Sequence, residues 1–227
     1  MFQTHASAKL DLETLQLAKR AGCFLFSYGL ESASPTVLKS MNKKIDPQQV
    51  VEAMELAHKA KIGFSANLIF GDIAETVDTW AESLSFWLEH CRADFVFLAN
   101  LMPYPGSKLF DDLKSYGMFQ DKRWYYEHID QGAINMSTIP PDVFERLAKI
   151  NMELETSWVF VKMAKDVTMV PEFKDGDTTM YKLTATCPYC NEKSTYRQPI
   201  NSATLKNFQL GTGCVQCGRK IKLLGTI

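Results

Sequence analysis

Apolar runs and amphipathic stretches alternate along the first hundred residues. Leu12, Leu15 and Ala18 recur at helical spacing behind Asp11, and Gly22 supplies a stop, which predicts a helix through "LETLQLAKRAG". The preceding "FQTHASA" reads as a strand end. Cys23–Tyr28 is a strand candidate. Ser34 then starts a short helix over Pro35–Met41 with proline at its first position. Asp46-Pro47, with Gln49 completing a capping box, opens a second helix through "QQVVEAMELAHKA". "GFSANLIF" is strand-like again. Thr76 opens a helix with Val77, Trp80, Ala81, Leu84 and Leu88 on one face, and a third strand follows at Asp94–Leu101. Strands separated by helices predict parallel pairing with right-handed crossovers. The strands are nearly apolar throughout, which predicts a sheet covered by helices on both faces.

The pattern changes beyond residue 110. "KSYGMFQDKRWYYEHIDQG" mixes aromatic and polar residues and reads as a loop or lid. After Pro140-Pro141, Phe144, Leu147, Ile150, Leu154, Trp158 and Val161 form an apolar stripe, the mark of a long helix packed against the body. Beyond Pro171, "EFKDGDTTM" reads as a linker and "YKLTATCPYCNEKSTY" as a hairpin leading into a cysteine module.

With 227 residues, 46% of them hydrophobic, the chain can build one sizeable core and a small appended module. Its net charge of −1 is unevenly spread: residues 172–227 carry eight Lys and Arg against four acids, a basic tail on an acidic body. The start, "MFQTHASAKL", lacks the basic and apolar regions of a signal peptide. The longest apolar stretch, "FVFLANLM", is far short of a membrane span. These features predict a soluble, cytoplasmic protein.

Four of the six cysteines form two C-x-x-C pairs, Cys187/Cys190 and Cys214/Cys217, with 23 residues between them. Two such turns complete a tetrahedral thiolate set, the pattern of a zinc ribbon, with redox thiols or a rubredoxin-like iron site as alternatives. All four positions are cysteine, so the site is structural, with no open coordination position. Cys23 and Cys91 stand alone in apolar surroundings and read as buried small hydrophobes. Arg219, Lys220 and Lys222 make the module basic, which admits a nucleic-acid or protein partner, and Tyr189, Tyr196 and Phe208 either stack on bases or pack the ribbon. The four histidines, His5, His58, His90 and His128, show no ligand spacing.

Ligands of parallel α/β folds bind at the carboxyl ends of strands. Here those ends read "GLESAS", "GDIAET" and "NLMPYPGS". Gly29, Gly71 and Gly106 permit close backbone approach. Glu31 and Ser32 suit the amine or hydroxyl groups of a polar cofactor, or Glu31 serves a helix N-terminus instead. Asn67 and Asn100 lie within apolar strands, where an amide needs a partner, a ligand or neighbouring backbone.

"AGCFLFSYGLESASPTVLKSMNKKI" resembles the radical SAM superfamily, in which a strand ends in Gly-[Ile/Leu]-Glu-Ser before a "vLk.mnK" helix. "AKIGFSANLIFGDIAET" is similar to that family's next strand and turn, and "NLMPYPGSKLF" to the one after it. The branch most resembled often carries an upstream cobalamin-binding domain. The resemblance implies an α/β fold: the C-terminal portion of a partial (β/α)6 TIM-like barrel over 1–120, a helical extension over 121–170 and a zinc ribbon over 171–227. It implies S-adenosylmethionine bound by Gly29, Glu31, Ser32, Asn67, Gly71 and Asn100, and a [4Fe-4S] cluster. Reductive cleavage of the cofactor to a 5′-deoxyadenosyl radical, or methyl transfer with cobalamin, is the chemistry implied. Two departures stand out. The second turn, Gly71-Asp72-Ile73-Ala74-Glu75-Thr76, lacks the family's Pro-Gly. The C-x-x-x-C-x-x-C cluster motif is missing, and Cys23 and Cys91 lack the spacing to replace it. The expectation is a C-terminal part of such an enzyme, its cluster supplied by an upstream segment or a separate subunit, acting on an unidentified substrate. The alternative is a non-catalytic half-barrel scaffold whose ribbon binds nucleic acid or protein.

Overall fold

The computed structural model of the chain describes residues 1–4, 10–115, 121–128, 134–201 and 210–223. Strand β1 (Phe2–Thr4) precedes α1 (Leu12–Arg20), β2 (Leu25–Glu31), α2 (Pro35–Ser40), α3 (Pro47–Lys59), β3 (Gly63–Phe70), α4 (Val77–Phe86) and β4 (Phe95–Asn100). A π-helical turn, Trp87–Cys91, prolongs α4. The four strands form one parallel sheet in the order β1-β2-β3-β4. Local chemistry sets the helix starts as expected. Asp11 accepts from the Thr14 amide, and Asp46 and Gln49 close a capping box. Thr76 and Thr79 close another at the head of α4. Ser34 begins α2 without capping it through its side chain; Ser34 N–H donates to the Ser32 hydroxyl instead.

Helices α1, α3 and α4 cover one face of the sheet, which corrects the expectation of helices on both faces. Phe26, Tyr28 and Leu30, with Phe64, Ala66, Leu68, Phe70, Val96 and Leu98, are buried beneath α1, α3 and α4 in the main core. The alternate residues point the other way, where Gln3, Asn67 and Phe97 are exposed and Ser27 and Gly29 half-buried, while Gly63 and Ser65 on the same side are buried, Gly63 against Gly218. Apolar residues such as Ile69 and Phe97 on that open side give the strands their two-sided hydrophobic look. Helices α4 and α7 bury part of the stripes that spacing suggested: Trp80, Leu84 and Leu88, and Phe144, Leu147 and Leu154, pack on the core. Helix α4 buries Thr79, Trp80 and Ser83, continued by Trp87, and leaves Val77 and Ala81 exposed.

Helices α5 (Lys108–Ser115) and α6 (Lys122–His128) occupy part of the stretch read as a loop or lid. Phe110, Leu113 and Tyr125 pack there with Leu101 and Met136 in a core of their own. Residues 116–120 and 129–133 of that stretch lie outside the described residues. Helix α7 (Pro141–Ser157) runs along the edge of β4, where the Glu155 carboxylate accepts from Leu98 N–H at 3.1 Å. Its inward face carries Phe144, Leu147, Asn151 and Leu154, while Ile150 is exposed. Asn151 takes a core place because its side-chain oxygen accepts from the buried Trp80 indole at 3.3 Å. Trp158 ends α7 in a left-handed conformation, φ 52°.

The stretch read as a linker is a strand. β5 (Lys165–Asp175) pairs antiparallel with β6 (Thr178–Thr186), and β6 with β7 (Lys193–Asn201). "KDGDT" is the hairpin turn, with Gly176 at φ 56°. Polar composition suggested a linker because β5 is exposed along most of its length. β8 (Leu210–Gly213) and β9 (Lys220–Leu223) form a second hairpin.

Candidate functional site

The open face gathers part of the predicted set. A bulge interrupts the pairing of β2 with β3 between Tyr28 and Glu31, and Glu31 adopts a left-handed φ of 65°. Its carboxylate lies beside Gly29: a Cβ on Gly29 would sit 3.3 Å from Glu31 Oε1. Lys43 donates to that same oxygen at 2.8 Å. Asn67 is exposed on the same side of the sheet, so Gly29, Glu31 and Asn67 share one accessible surface near the carboxyl ends of β2 and β3.

Ser32 and Gly71 do other work. Ser32 is 1% exposed. Its hydroxyl bonds Ser83 Oγ at 3.0 Å and receives Ser34 N–H, tying the loop to α4. Gly71, at φ 105°, makes room for the Phe144 ring. A Cβ there would meet the Phe144 ring at 3.2 Å. Gly71 N–H donates to Glu75 Oε2 at 3.3 Å, closing the turn that lacks Pro-Gly. Glu75 is itself buried, accepts from Thr79 Oγ1 at 2.7 Å, and burial pushes its carboxyl above the ordinary range. Asn100 ends β4 beside a groove of about 720 Å³ between that strand and α7. Its buried Oδ1 has no hydrogen-bond partner among the described residues. An acceptor left bare at a strand's carboxyl end calls for a donor from outside the fold.

The four paired cysteines converge. Cys187 and Cys190 span the turn between β6 and β7, Cys214 and Cys217 the turn between β8 and β9. All four sulfurs lie within 4.8 Å of one another. Cys187 to Cys217 and Cys190 to Cys214 are each 3.8 Å apart. A tetrahedron of Zn–S bonds near ~2.3 Å has edges of about 3.8 Å, so the set fits a tetrahedral thiolate-bound ion. The Cys217 thiol, followed by the backbone N–H groups of Cys217 and Gln216, holds Cys214 down to about 4. Tyr189 N–H donates to Cys187 at 3.4 Å. Thiolate is the form that ligates metal. Cys23 and Cys91 stay apart from this set, and burial pushes the Cys91 thiol up.

A second cluster escaped the sequence. His58 Nε2 and Asp94 Oδ1 are 2.7 Å apart, and Arg219 donates to His58 Nδ1 at 2.8 Å. A ring nitrogen that accepts from arginine is deprotonated, so Nε2 carries the proton and donates to the buried Asp94. The three residues come from α3, the approach to β4 and the second cysteine turn, separations that no local pattern encodes. The Tyr189 ring lies between the Lys162 ammonium and the Arg219 guanidinium, 5.2 and 5.1 Å from its centroid. The basic residues proposed for nucleic acid are thus partly committed: Arg219 serves this seam and Lys220 is 5% exposed. Tyr196 packs in the core beside the four cysteines and Phe208 lies outside the described residues. No described helix is long and apolar enough to cross a membrane.

Residues 3–86 match the family model of the Radical SAM superfamily. Over 103 residues the chain is 36% identical to a bacteriochlorophyllide d C-12(1)-methyltransferase of Chlorobaculum tepidum, covering 45% of this chain and 22% of that protein. An uncharacterized methyltransferase of Pyrococcus horikoshii is 31% identical over 93 residues, covering 41% of this chain and 20% of its own length. The chain therefore spans about a fifth of the curated relatives it matches. Among solved structures, the radical S-adenosylmethionine methyltransferase TsrM from Kitasatospora setae, with cobalamin and a [4Fe-4S] cluster bound, superposes with a TM-score of 0.44 at 15% identity. That superposition covers 52% of this chain and 22% of TsrM.

Proposed function

We propose that the chain, a member of the radical SAM superfamily, is the C-terminal portion of an S-adenosylmethionine enzyme for radical chemistry or methyl transfer. In this reading 1–120 contribute to a partial (β/α)6 TIM-like barrel, 121–170 form a helical extension and 171–227 a zinc ribbon. The observation that carries the reading is the accessible surface at the carboxyl ends of β2 and β3, where the Glu31 carboxylate lies over Gly29 beside exposed Asn67. Ligands of parallel α/β folds bind at the carboxyl ends of the strands. Glu31 accepts hydrogen bonds from the cofactor's amino or ribose groups, Asn67 supplies a neutral donor and acceptor, and the bare Asn100 oxygen accepts from the ligand.

The chain's own cysteines do not fit a [4Fe-4S] cluster with an open iron. Four belong to one tetrahedral set, and Cys23 and Cys91 supply two isolated sulfurs. The cluster then comes from an upstream segment or a separate subunit. Cobalamin is part of the proposal where the reaction is methyl transfer. The four-cysteine set fits zinc, which would hold the turns of the ribbon and take no part in chemistry.

The test joins the chain to a cluster-bearing segment and follows S-adenosylmethionine by equilibrium dialysis. Saturable binding that weakens in Glu31→Gln is the expected result. A folded, cluster-loaded complex without saturable binding overturns the reading.

A further inference from the structure

We propose that the second cysteine turn delivers Lys220 to the open face of the parallel sheet, so that a metal on the four sulfurs fixes the aromatic floor of that face. The coupling stands on contacts within this chain; calling the floor part of a binding site rests on the function proposed above.

Lys220 opens β9, three residues after Cys217. Its backbone N–H donates to Ala93 O at 2.8 Å, which fastens the turn beside the start of β4. Its side chain then runs into the protein. The ammonium lies 5.3 Å from the Phe95 ring centroid, 5.6 Å from Phe97 and 5.3 Å from Trp158. Phe95 and Phe97 belong to the open face, and Phe97 is paired in register with Asn67 on the neighbouring strand. The cation therefore lies one strand from a residue of the proposed cofactor surface. Phe97 is exposed and Lys220 is not, so a ligand lying on this face touches the ring while the buried ammonium packs against it. Lys220 is a positioning residue.

Lysine is among the residues least often buried, because its ammonium is strongly hydrated. Three aromatic faces replace that water here. Burial holds the Lys220 ammonium below the usual lysine range, and the carboxylates of Glu155 and Asp94 oppose that in part. The backbone approach that permits this is unusually close. A Cβ on Gly218 would sit 2.1 Å from both Cα and N of Gly63, at the start of β3. The absence of a side chain at Gly218 lets the turn lie against the sheet. Gly218 N–H donates to Cys214 O at 2.7 Å and Cys214 N–H to Arg219 O at 2.9 Å, so the geometry of the metal turn passes directly to Lys220.

The experiment uses the chain itself, zinc-loaded and then chelated, with metal content checked by mass spectrometry. In spectra of 13C-lysine protein, one Cε resonance pair is expected to shift upfield from the others through three ring currents, and to be missing from Lys220→Arg. Removal of zinc should return it to the exposed lysines. In parallel, acetylation of wild-type protein should modify Lys220 roughly tenfold more slowly than exposed Lys174 while zinc is bound, and at a similar rate after chelation. This second readout needs no variant to fold. Lys220 reacting like Lys174 in the zinc-loaded protein, or a protection indifferent to zinc, overturns the proposal. Neither readout involves S-adenosylmethionine, so failure of cofactor binding would count against the function proposed above and leave this coupling intact.

Discussion

Lys43, in the connection between α2 and α3, reaches back to Glu31 at the end of β2, and the two side chains meet at 2.8 Å with both only partly accessible. The carboxylate at the mouth of β2 is held by a lysine from beyond α2, neither free nor capping a helix. A ligand that approaches Glu31 meets an acceptor already aimed and partly neutralised. The left-handed backbone at Glu31, φ 65°, sets that aim.

Glu31→Gln should therefore separate binding from folding. An ion pair this close to solvent contributes about 1 kcal/mol or less to stability. A charge-assisted hydrogen bond to the cofactor is worth about 1.5–3 kcal/mol, which corresponds to roughly one to two powers of ten in affinity. Cofactor titration and thermal unfolding of the same complex check this. A large loss of stability with unchanged affinity would reassign Glu31 to holding the loop.

The ribbon should bind one zinc. Native mass spectrometry should show a single ion on the wild-type chain and none on Cys187→Ser. The sequence pictured a small appended module, which the structure docks on the sheet through Gly218, Arg219 and Lys220. Loss of zinc should consequently lower the melting temperature of the parallel sheet as well, at about 2–4 °C for each kcal/mol lost. Two independent transitions, with the sheet's own unmoved by chelation, would contradict the docking.

Gly218→Ala should be far more damaging than Gly176→Ala, although both glycines have positive φ. At Gly176 nothing lies within 4 Å of the added methyl, and the cost is the left-handed conformation alone, about 1–2 kcal/mol. At Gly218 the methyl collides with the Gly63 backbone, which cannot rotate away. Urea unfolding of the two variants, with exchange of the β3 and β4 amides, makes the comparison. Equal losses would mean that the turn does not rest on the sheet.

Glu75 gives stability an acid-side slope. Burial raises its folded value above the ordinary 4.5, against the hydrogen bonds from Thr79 and Gly71. The folded state thus holds this proton more tightly than the unfolded chain. Stability contributed by the protonated form is full below 4.5 and falls as pH climbs through the folded value. Glu75→Gln should flatten that fall. Urea midpoints measured from acid to neutral pH in both proteins decide it, and identical slopes would remove Glu75 as the cause.

With zinc already on its four cysteines, the chain alone should assemble no iron–sulfur cluster. Anaerobic incubation with iron and sulfide should leave the visible spectrum blank. A stable cluster would require ligands other than Cys23 and the deeply buried Cys91.

What the sequence determined by itself was whatever short-range chemistry encodes. Asp11, Asp46 with Gln49, and Thr76 with Thr79 each satisfy orphan amides within three residues, so the helix starts were legible. The alternation of strands and helices required parallel pairing, and the cysteine spacing required convergence of four sulfurs. Tertiary structure decided which face of the sheet is bare, because alternate apolar residues such as Ile69 and Phe97 look the same in either direction. It decided that Ser32 and Gly71 are taken up by Ser83 and Phe144, partners 51 and more residues away. It also joined His58 to Asp94 and Arg219, 36 and 161 residues distant, and set Lys220 among three rings. Those pairings depend on how the cysteine turns and α7 settle on the sheet, a matter of shape and close packing that no local run of residues records.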